Sequence, residues 1–232
     1  MSKTVAIHQP NFLPYLGYFD QIRNSDIFVF LDNVIYTKND FINRNKIKTP
    51  DGWCWLTVPM VNKNILGTPI CKVEISNSVN WRRKHYNSIQ FNYGRAPHFE
   101  EYRNFFEKVY QSEWSLLAEL NRFLIKSICA FLGIKGVFVD VSTLDVKGAR
   151  TDLLVNICET LDADVYLSGV GGRNYIDYQM FEKSNIDIVF QEFKVLPYSQ
   201  LYGEFIPYLS VIDFLLNCGG EMNDGCFKSK PN

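Results

Sequence analysis

The groups best suited to chemistry are concentrated in His8-Gln9-Pro10-Asn11-Phe12-Leu13-Pro14-Tyr15-Leu16-Gly17-Tyr18. His8 is a candidate acid or base for work near neutral pH, and Gln9 and Asn11 each carry an amide donor and acceptor to orient a substrate. Pro10 and Pro14 fix φ on either side of Asn11-Phe12-Leu13, so the loop is stiff and its polar groups are aimed in advance. Gly17 permits close approach by a ligand or by another strand, and with Tyr18 it completes the substrate-binding candidates of this stretch. A histidine that follows a strand also serves as a hydrogen-bonded structural residue, and that alternative stands beside the catalytic one.

The elements around this stretch decide where its groups point. Thr4-Val5-Ala6-Ile7 is β-branched and apolar, as expected of a buried strand opening an α/β sheet, so His8 lies at a strand's carboxyl end. Open α/β sheets bind their ligands at that edge. A helix over Tyr15 to Asn24 and a second buried strand over Asp26 to Leu31 imply a right-handed parallel crossover. Asp32 and Asn33 then emerge beside His8, and Asp32 becomes the second catalytic candidate, with a cap of a helix or turn as its plainer role.

From Phe41 to Pro59 the pattern is that of a hairpin: an alternating run from Asn43 to Thr49, a Pro50-Asp51-Gly52 turn, and Trp53 to Pro59. Alternation places Arg44, Lys46 and Lys48 on one face, where solvent or an anion would meet them. Arg44 is the substrate-site candidate of the three, because its planar fork suits phosphate or carboxylate. Asn62 to Gly67 reads as a polar turn and Lys72 to Ser76 as a short strand. A basic, aromatic helix begins at Asn80 and ends before Pro97. Helical periodicity is clearest in Trp114, Leu117, Leu120, Leu124, Ile128 and Phe131, with Ser112 as N-cap, Gly133 as the stop, and Glu119, Arg122 and Lys126 on a solvated face.

The second half repeats the alternation. Strands are expected at Val137 to Val141, Asp164 to Leu167 and Ile186 to Phe190, with helices over Thr151 to Leu161, capped by Thr151, and over Asp177 to Ser184. Between them, Ser168-Gly169-Val170-Gly171-Gly172-Arg173-Asn174-Tyr175 follows a strand with three glycines and a fixed cation. Ser168, Gly171, Gly172 and Arg173 are its phosphate or anion candidates and Tyr175 a substrate-binding one. The G-x-G-G-R spacing is not the dinucleotide fingerprint, and a tight turn would use the same glycines. A last helix, Val211 to Asn217, is capped near Ser210, with Asp213 complementing its dipole.

The fold expected is therefore α/β: a mostly parallel twisted sheet with helices on both faces. It forms a single domain over 1–220, with a hairpin and strand insertion at 41–76, a helical segment at 80–133 and a loose tail at 221–232. With 24 Lys plus Arg against 25 Asp plus Glu, no broad field invites nucleic acid or an anionic membrane, and a small polar ligand fits better. The six cysteines fall in no C-x-x-C pair, so no metal site is expected. No charged-then-apolar leader precedes the first strand and no stretch is long enough to span a bilayer, so a cytoplasmic protein with reduced thiols is expected. A homo-oligomer is left open.

His8 to Phe19, the Ser168 to Arg173 loop with Tyr175, and the Phe205-Ile206-Pro207 to Asn217-Cys218-Gly219 ending together resemble the WbqC-like family. That resemblance covers nearly the whole chain. It implies an association with bacterial O-antigen and other surface-polysaccharide genes, and a role in glycine or other acyl transfer. The family pattern has a His-Pro pair ahead of Tyr198, where this chain has Leu196-Pro197, so no role for a histidine there carries over. The opening strand, loop and helix are also similar to nucleotidylyltransferase-like folds with a His-Ile-Gly-His motif, which bind ATP at this loop. Pro14 and Tyr18 stand at the two histidine positions, so only the fold is implied.

The leading expectation is a transferase that acylates an amino sugar on a nucleotide sugar. His8 is its base, Gln9 and Asn11 orient the acceptor, and the glycine loop holds phosphate or acyl carboxylate across a shared cleft. The donor is an acyl group, activated through ATP if ATP takes part. The alternatives are a nucleotide-sugar binder without turnover and an ATP-dependent nucleotidyltransferase.

Overall fold

The computed structural model describes residues 2–61, 65, 67–222 and the backbone of 227–229. In chain order these form β1 (Thr4–His8), α1 (Leu16–Arg23), β2 (Ile27–Phe30), β3 (Arg44–Thr49), β4 (Gly52–Thr57), α2 (Trp81–Tyr93), α3 (Phe99–Gln111) and α4 (Leu117–Phe131). There follow β5 (Val137–Asp140), α5 (Thr151–Thr160), β6 (Val165–Ser168), α6 (Tyr178–Lys183), β7 (Asp187–Phe190), β8 (Phe193–Val195), α7 (Val211–Cys218) and β9 (Phe227–Ser229).

Five of the strands make one parallel sheet in the order β5-β2-β1-β6-β7. Their side chains alternate between two cores, as the period of two requires. Ala6, Phe28, Phe30 and Leu167 join the larger core with α1, α2, α3, α4, α7 and the hairpin. Val5, Ile7, Val29 and Tyr166 join the smaller one with α5 and Phe181 of α6. The chain runs outward from β1 in one direction through β2 and β5, then in the other through β6 and β7. The point where that order reverses lies between β1 and β6, where open α/β sheets form their ligand crevice. The expected α/β class with a mostly parallel sheet is what the structure has.

Several local expectations are corrected. Residues 72–76 do not form a strand: a 3₁₀ turn at Ile70–Lys72 is closed by Lys72 N–H on the Pro69 carbonyl, and only isolated bridges follow at Glu74 and Ile75. Ser112 caps the end of α3, its hydroxyl donating to Lys108 O at 2.8 Å, and α4 begins only at Leu117. Thr151 starts α5 without capping it, because its hydroxyl accepts from Asp177 N–H at 3.1 Å. Within the 221–232 stretch, expected to be a loose tail, the described backbone of β9 pairs antiparallel with β8. Most of the expected 62–67 turn lies outside the described residues.

Two charges on the expected solvated face of α4 do other work. Arg122 pairs with Asp32 at 2.8 Å and with Asp140 at 3.3 Å, and Lys126 lies over the rings of Phe30 and Phe138 at 5.9 and 5.5 Å. Among the described residues no cysteine forms a disulfide, and no helix is long and apolar enough to cross a membrane.

Candidate functional site

Beyond His8 the chain leaves the sheet in a loop whose backbone is fixed by buried side chains. Asn121 Nδ2 donates to the carbonyls of Pro10 and Ile42 at 2.8 and 2.7 Å. Asn45 Nδ2 donates to Leu13 O at 2.7 Å, and Ser210 Oγ donates to the same carbonyl at 2.9 Å. Leu13 needs this support because it is a buried non-glycine residue with φ of 44°. A conformation of that kind costs about 1–3 kcal/mol and persists where its surroundings over-determine it.

The loop forms one wall of a cleft of about 430 Å³, together with Asp40, Phe41, Asn45 and Tyr208. His8 Nδ1 lies 3.0 Å from the carbonyl of Gln9, which can only accept, so the proton is on Nδ1 and Nε2 keeps its lone pair. Tyr18 fixes the pair from behind, its ring edge-on to the imidazole at 4.7 Å and its hydroxyl donating to Gln9 O at 2.9 Å. Burial lowers the pKa of His8 below the usual 6.5, opposed by the Gln9 hydrogen bond and the Asp40 carboxylate. The imidazole is thus neutral near neutral pH, with its basic nitrogen unengaged among the described residues.

Other cleft groups are similarly open. The side-chain amides of Gln9 and Asn11 line it and make no hydrogen bond among the described residues. Asp40 lines it as well, with Oδ1 accepting from Phe41 N–H at 2.7 Å. Tyr15 and Tyr208 meet edge to face at 5.9 Å, and Tyr208 is 53% exposed with φ of 56°. Phe41 supplies a further apolar surface, partly exposed. A neutral base, two free amides, a carboxylate and aromatic walls suit a flat, polyhydroxylated or heterocyclic ligand.

The remaining predicted residues fall elsewhere. Tyr18 and Gly17 are buried behind the cleft: a side chain at Gly17 would overlap the ring of Tyr15, so the glycine makes room for a cleft wall instead of for a ligand. Asp32 leaves β2 at the same edge as His8 but is fully buried and fully engaged, by Arg122, by Ser142 N–H at 2.9 Å and by Ser142 Oγ at 2.8 Å. Arg44 donates from Nη2 to Asn39 O at 2.7 Å and lies over Trp55 at 4.3 Å. Lys48, expected on a solvated or anion-facing strand face, is buried. Its ammonium donates to Gln200 Oε1 and Glu204 O at 3.0 and 2.6 Å, while Gln200 donates onward to Asp213 at 2.6 Å.

The glycine loop leaves β6, next to β1 and at the same edge, yet Ser168, Gly171, Gly172, Arg173 and Tyr175 do not line this cleft. Its Val170–Asn174 turn bonds to itself through Gly172 N–H on Gly169 O at 2.9 Å, Ser168 is buried with its hydroxyl on Gly169 O, and Arg173 packs over Phe190 at 4.7 Å. Tyr175 is 62% exposed. The two strand-end turns thus share an edge, and the glycine loop stands outside the His8 cleft.

Sequence reasoning missed Tyr15, Asp40, Phe41 and Tyr208. Tyr15 and Tyr208 stand beside prolines in the quoted motifs, which was the available signal. Asp40 and Phe41 carried none, because only tertiary contacts bring them to His8. Among the described residues no group of three or more His, Cys, Asp or Glu side chains is placed to hold a metal ion.

The model of the WbqC-like protein family matches residues 9–224. The chain is also 35% identical over 224 residues, 96% of each chain, to the uncharacterized protein Rv1507c of Mycobacterium tuberculosis. No solved structure matches.

Proposed function

The chain belongs to the WbqC-like protein family, and from the geometry of its cleft we propose that it is an acyl transferase acting on the amine of a nucleotide-linked amino sugar. The observation that carries this reading is the orientation of His8, with Nδ1–H held on the Gln9 carbonyl and the Nε2 lone pair left unengaged in the cleft that His8 lines. The sugar amine attacks the acyl carbon of the donor, Nε2 takes the proton that the nitrogen sheds, and the same proton passes to the departing group as the carbon–leaving-group bond breaks. Asp40 offsets the charge that forms on the imidazole. Gln9 and Asn11 bind sugar hydroxyls, and Tyr15 and Tyr208 pack against the ring.

A cytoplasmic place in surface-polysaccharide synthesis and an acyl donor prepared at the cost of ATP belong to the same proposal. A second reading, nucleotidyl transfer, draws on the β5-β2-β1-β6-β7 order and its crevice. Purified protein incubated with amino-sugar nucleotides and activated acyl donors, glycyl donors included, is expected to form an amide, and His8→Ala to abolish it. Pyrophosphate released from ATP and a sugar phosphate, with no amide formed, would favour the second reading. Full amide-forming activity in His8→Ala would remove His8 as the base.

A further inference from the structure

One face of the hairpin is unlike the rest of the surface. Lys46 and Arg44 stand across from Trp55 and Thr57 in the β3–β4 register, and Trp53 follows on the same side. The Lys46 ammonium sits 4.1 Å from the Trp53 ring and 5.2 Å from the Trp55 ring, and the Arg44 guanidinium lies 4.3 Å from Trp55. Trp53 remains 45% exposed. Among the described residues neither cation is within ion-pair distance of a carboxylate; Arg44 donates from Nη2 to Asn39 O at 2.7 Å, and its Nε is buried without a hydrogen-bond partner. The two positive charges are therefore ordered by aromatic faces, not neutralised by acids.

This strip continues into the His8 cleft. Phe41 lines the cleft and meets Trp55 at 6.0 Å, and Trp55 meets Trp53 at 5.6 Å. We propose that the outer face of the hairpin binds the nucleoside diphosphate of the substrate, with the diphosphate on Arg44 and Lys46 and the base against Trp53, so that the attached sugar enters the cleft past Phe41. The inference rests on the reading of the cleft given above and specifies where its substrate is held. Charge complementarity selects the occupant: two adjacent uncompensated cations suit two phosphates, and a neutral glycan would leave both without a partner. Trp53, 45% exposed although Lys46 lies over one face of its ring, gives the base a stacking surface, which a bare diphosphate cannot use.

Titration of the full chain with UDP and with ADP, followed by tryptophan fluorescence and calorimetry, tests this. Saturable quenching is expected with at least one nucleotide. Lys46→Gln and Trp53→Leu should each weaken it about tenfold, and inorganic pyrophosphate should bind about tenfold more weakly than the nucleotide. His8→Ala should bind the nucleotide as the parent does, which separates this site from the proposed chemistry: nucleotide binding without any acyl transfer would sink the function and leave the site. No saturable binding of either nucleotide would overturn the proposal. So would binding indifferent to both hairpin variants with native circular dichroism, or quenching by maltohexaose in place of the nucleotides.

Discussion

His8 ends β1 and Asp32 follows the end of the adjacent parallel strand β2 at the same edge of the sheet, and their surroundings could hardly differ more. Every oxygen of the Asp32 carboxylate is engaged by Arg122 or Ser142, and the group is sealed from solvent. His8 has one nitrogen fixed and the other open in a cleft, beside two amides with no partner among the described residues. Buried polar groups are costly unless satisfied, so a fully satisfied one stabilises the fold, whereas unsatisfied ones lining a cavity are available to a ligand. Location at a strand's carboxyl edge is shared by both and therefore distinguishes neither. The use already made of each polar atom does.

The comparison predicts opposite phenotypes. His8→Ala should lower turnover by about 10²–10⁴-fold, the usual share of a general base, with denaturant unfolding nearly unchanged. Asp32→Ala should do the reverse, destabilising by about 3–5 kcal/mol in urea unfolding because it leaves the Arg122 guanidinium short of its closest partner. If Asp32→Ala folds with parental stability and loses only activity, the division between the two positions fails.

A second pair sharpens it with pH. His85 donates from Nε2 to Thr57 O at 3.0 Å, but its Nδ1 is buried without a partner, and burial pushes its pKa from 6.5 down to about 4. Above pH 6.5 the ring is neutral in the folded and unfolded chains alike. As the pH falls from there towards about 4, the unfolded chain takes the proton first, so the fold loses about 3 kcal/mol over that window. Urea unfolding across those values should show the loss, and His85→Gln should flatten it. His8 is also shifted downward, so it adds to the same loss, and its protonation should in addition appear as an acid limb in kcat/KM below the usual histidine value. The smallest effect is expected of Asn11→Ala, a rise in KM of about tenfold with kcat little changed, measured at saturating donor.

The architecture was legible because it depends on local pattern. Val5, Ala6, Ile7 and their counterparts in the other strands are apolar in short runs, and such runs read as strands buried on both faces. The alternation of strand and helix then fixes a parallel sheet. His8, Gln9 and Asn11 were legible for a similar reason, being polar residues directly after one of those runs. Lys48 was not. Period-two alternation places Lys48 on the same hairpin face as Arg44 and Lys46, but Gln200 and the Glu204 carbonyl cover its end of the strand, and nothing local announces a partner more than 150 positions away. The glycine loop shows the same limit: a strand followed by glycines and an arginine reads as an anion cradle facing His8, but Gly172 and Ser168 bond within their own turn, Arg173 rests on Phe190, and none of them lines the His8 cleft. Composition indicates which groups are present; only the tertiary contacts decide which remain unengaged.

The central claim concerns one proton, and it can be observed directly. A long-range ¹H–¹⁵N spectrum of the imidazole nitrogens, with His8 assigned by comparison with His8→Ala, should show Nδ1 protonated and Nε2 bare near neutral pH. That state should persist as the pH falls past 6.5. A proton on Nε2, or a titration midpoint at or above the ordinary histidine value, would contradict the assignment of His8 as a poised base.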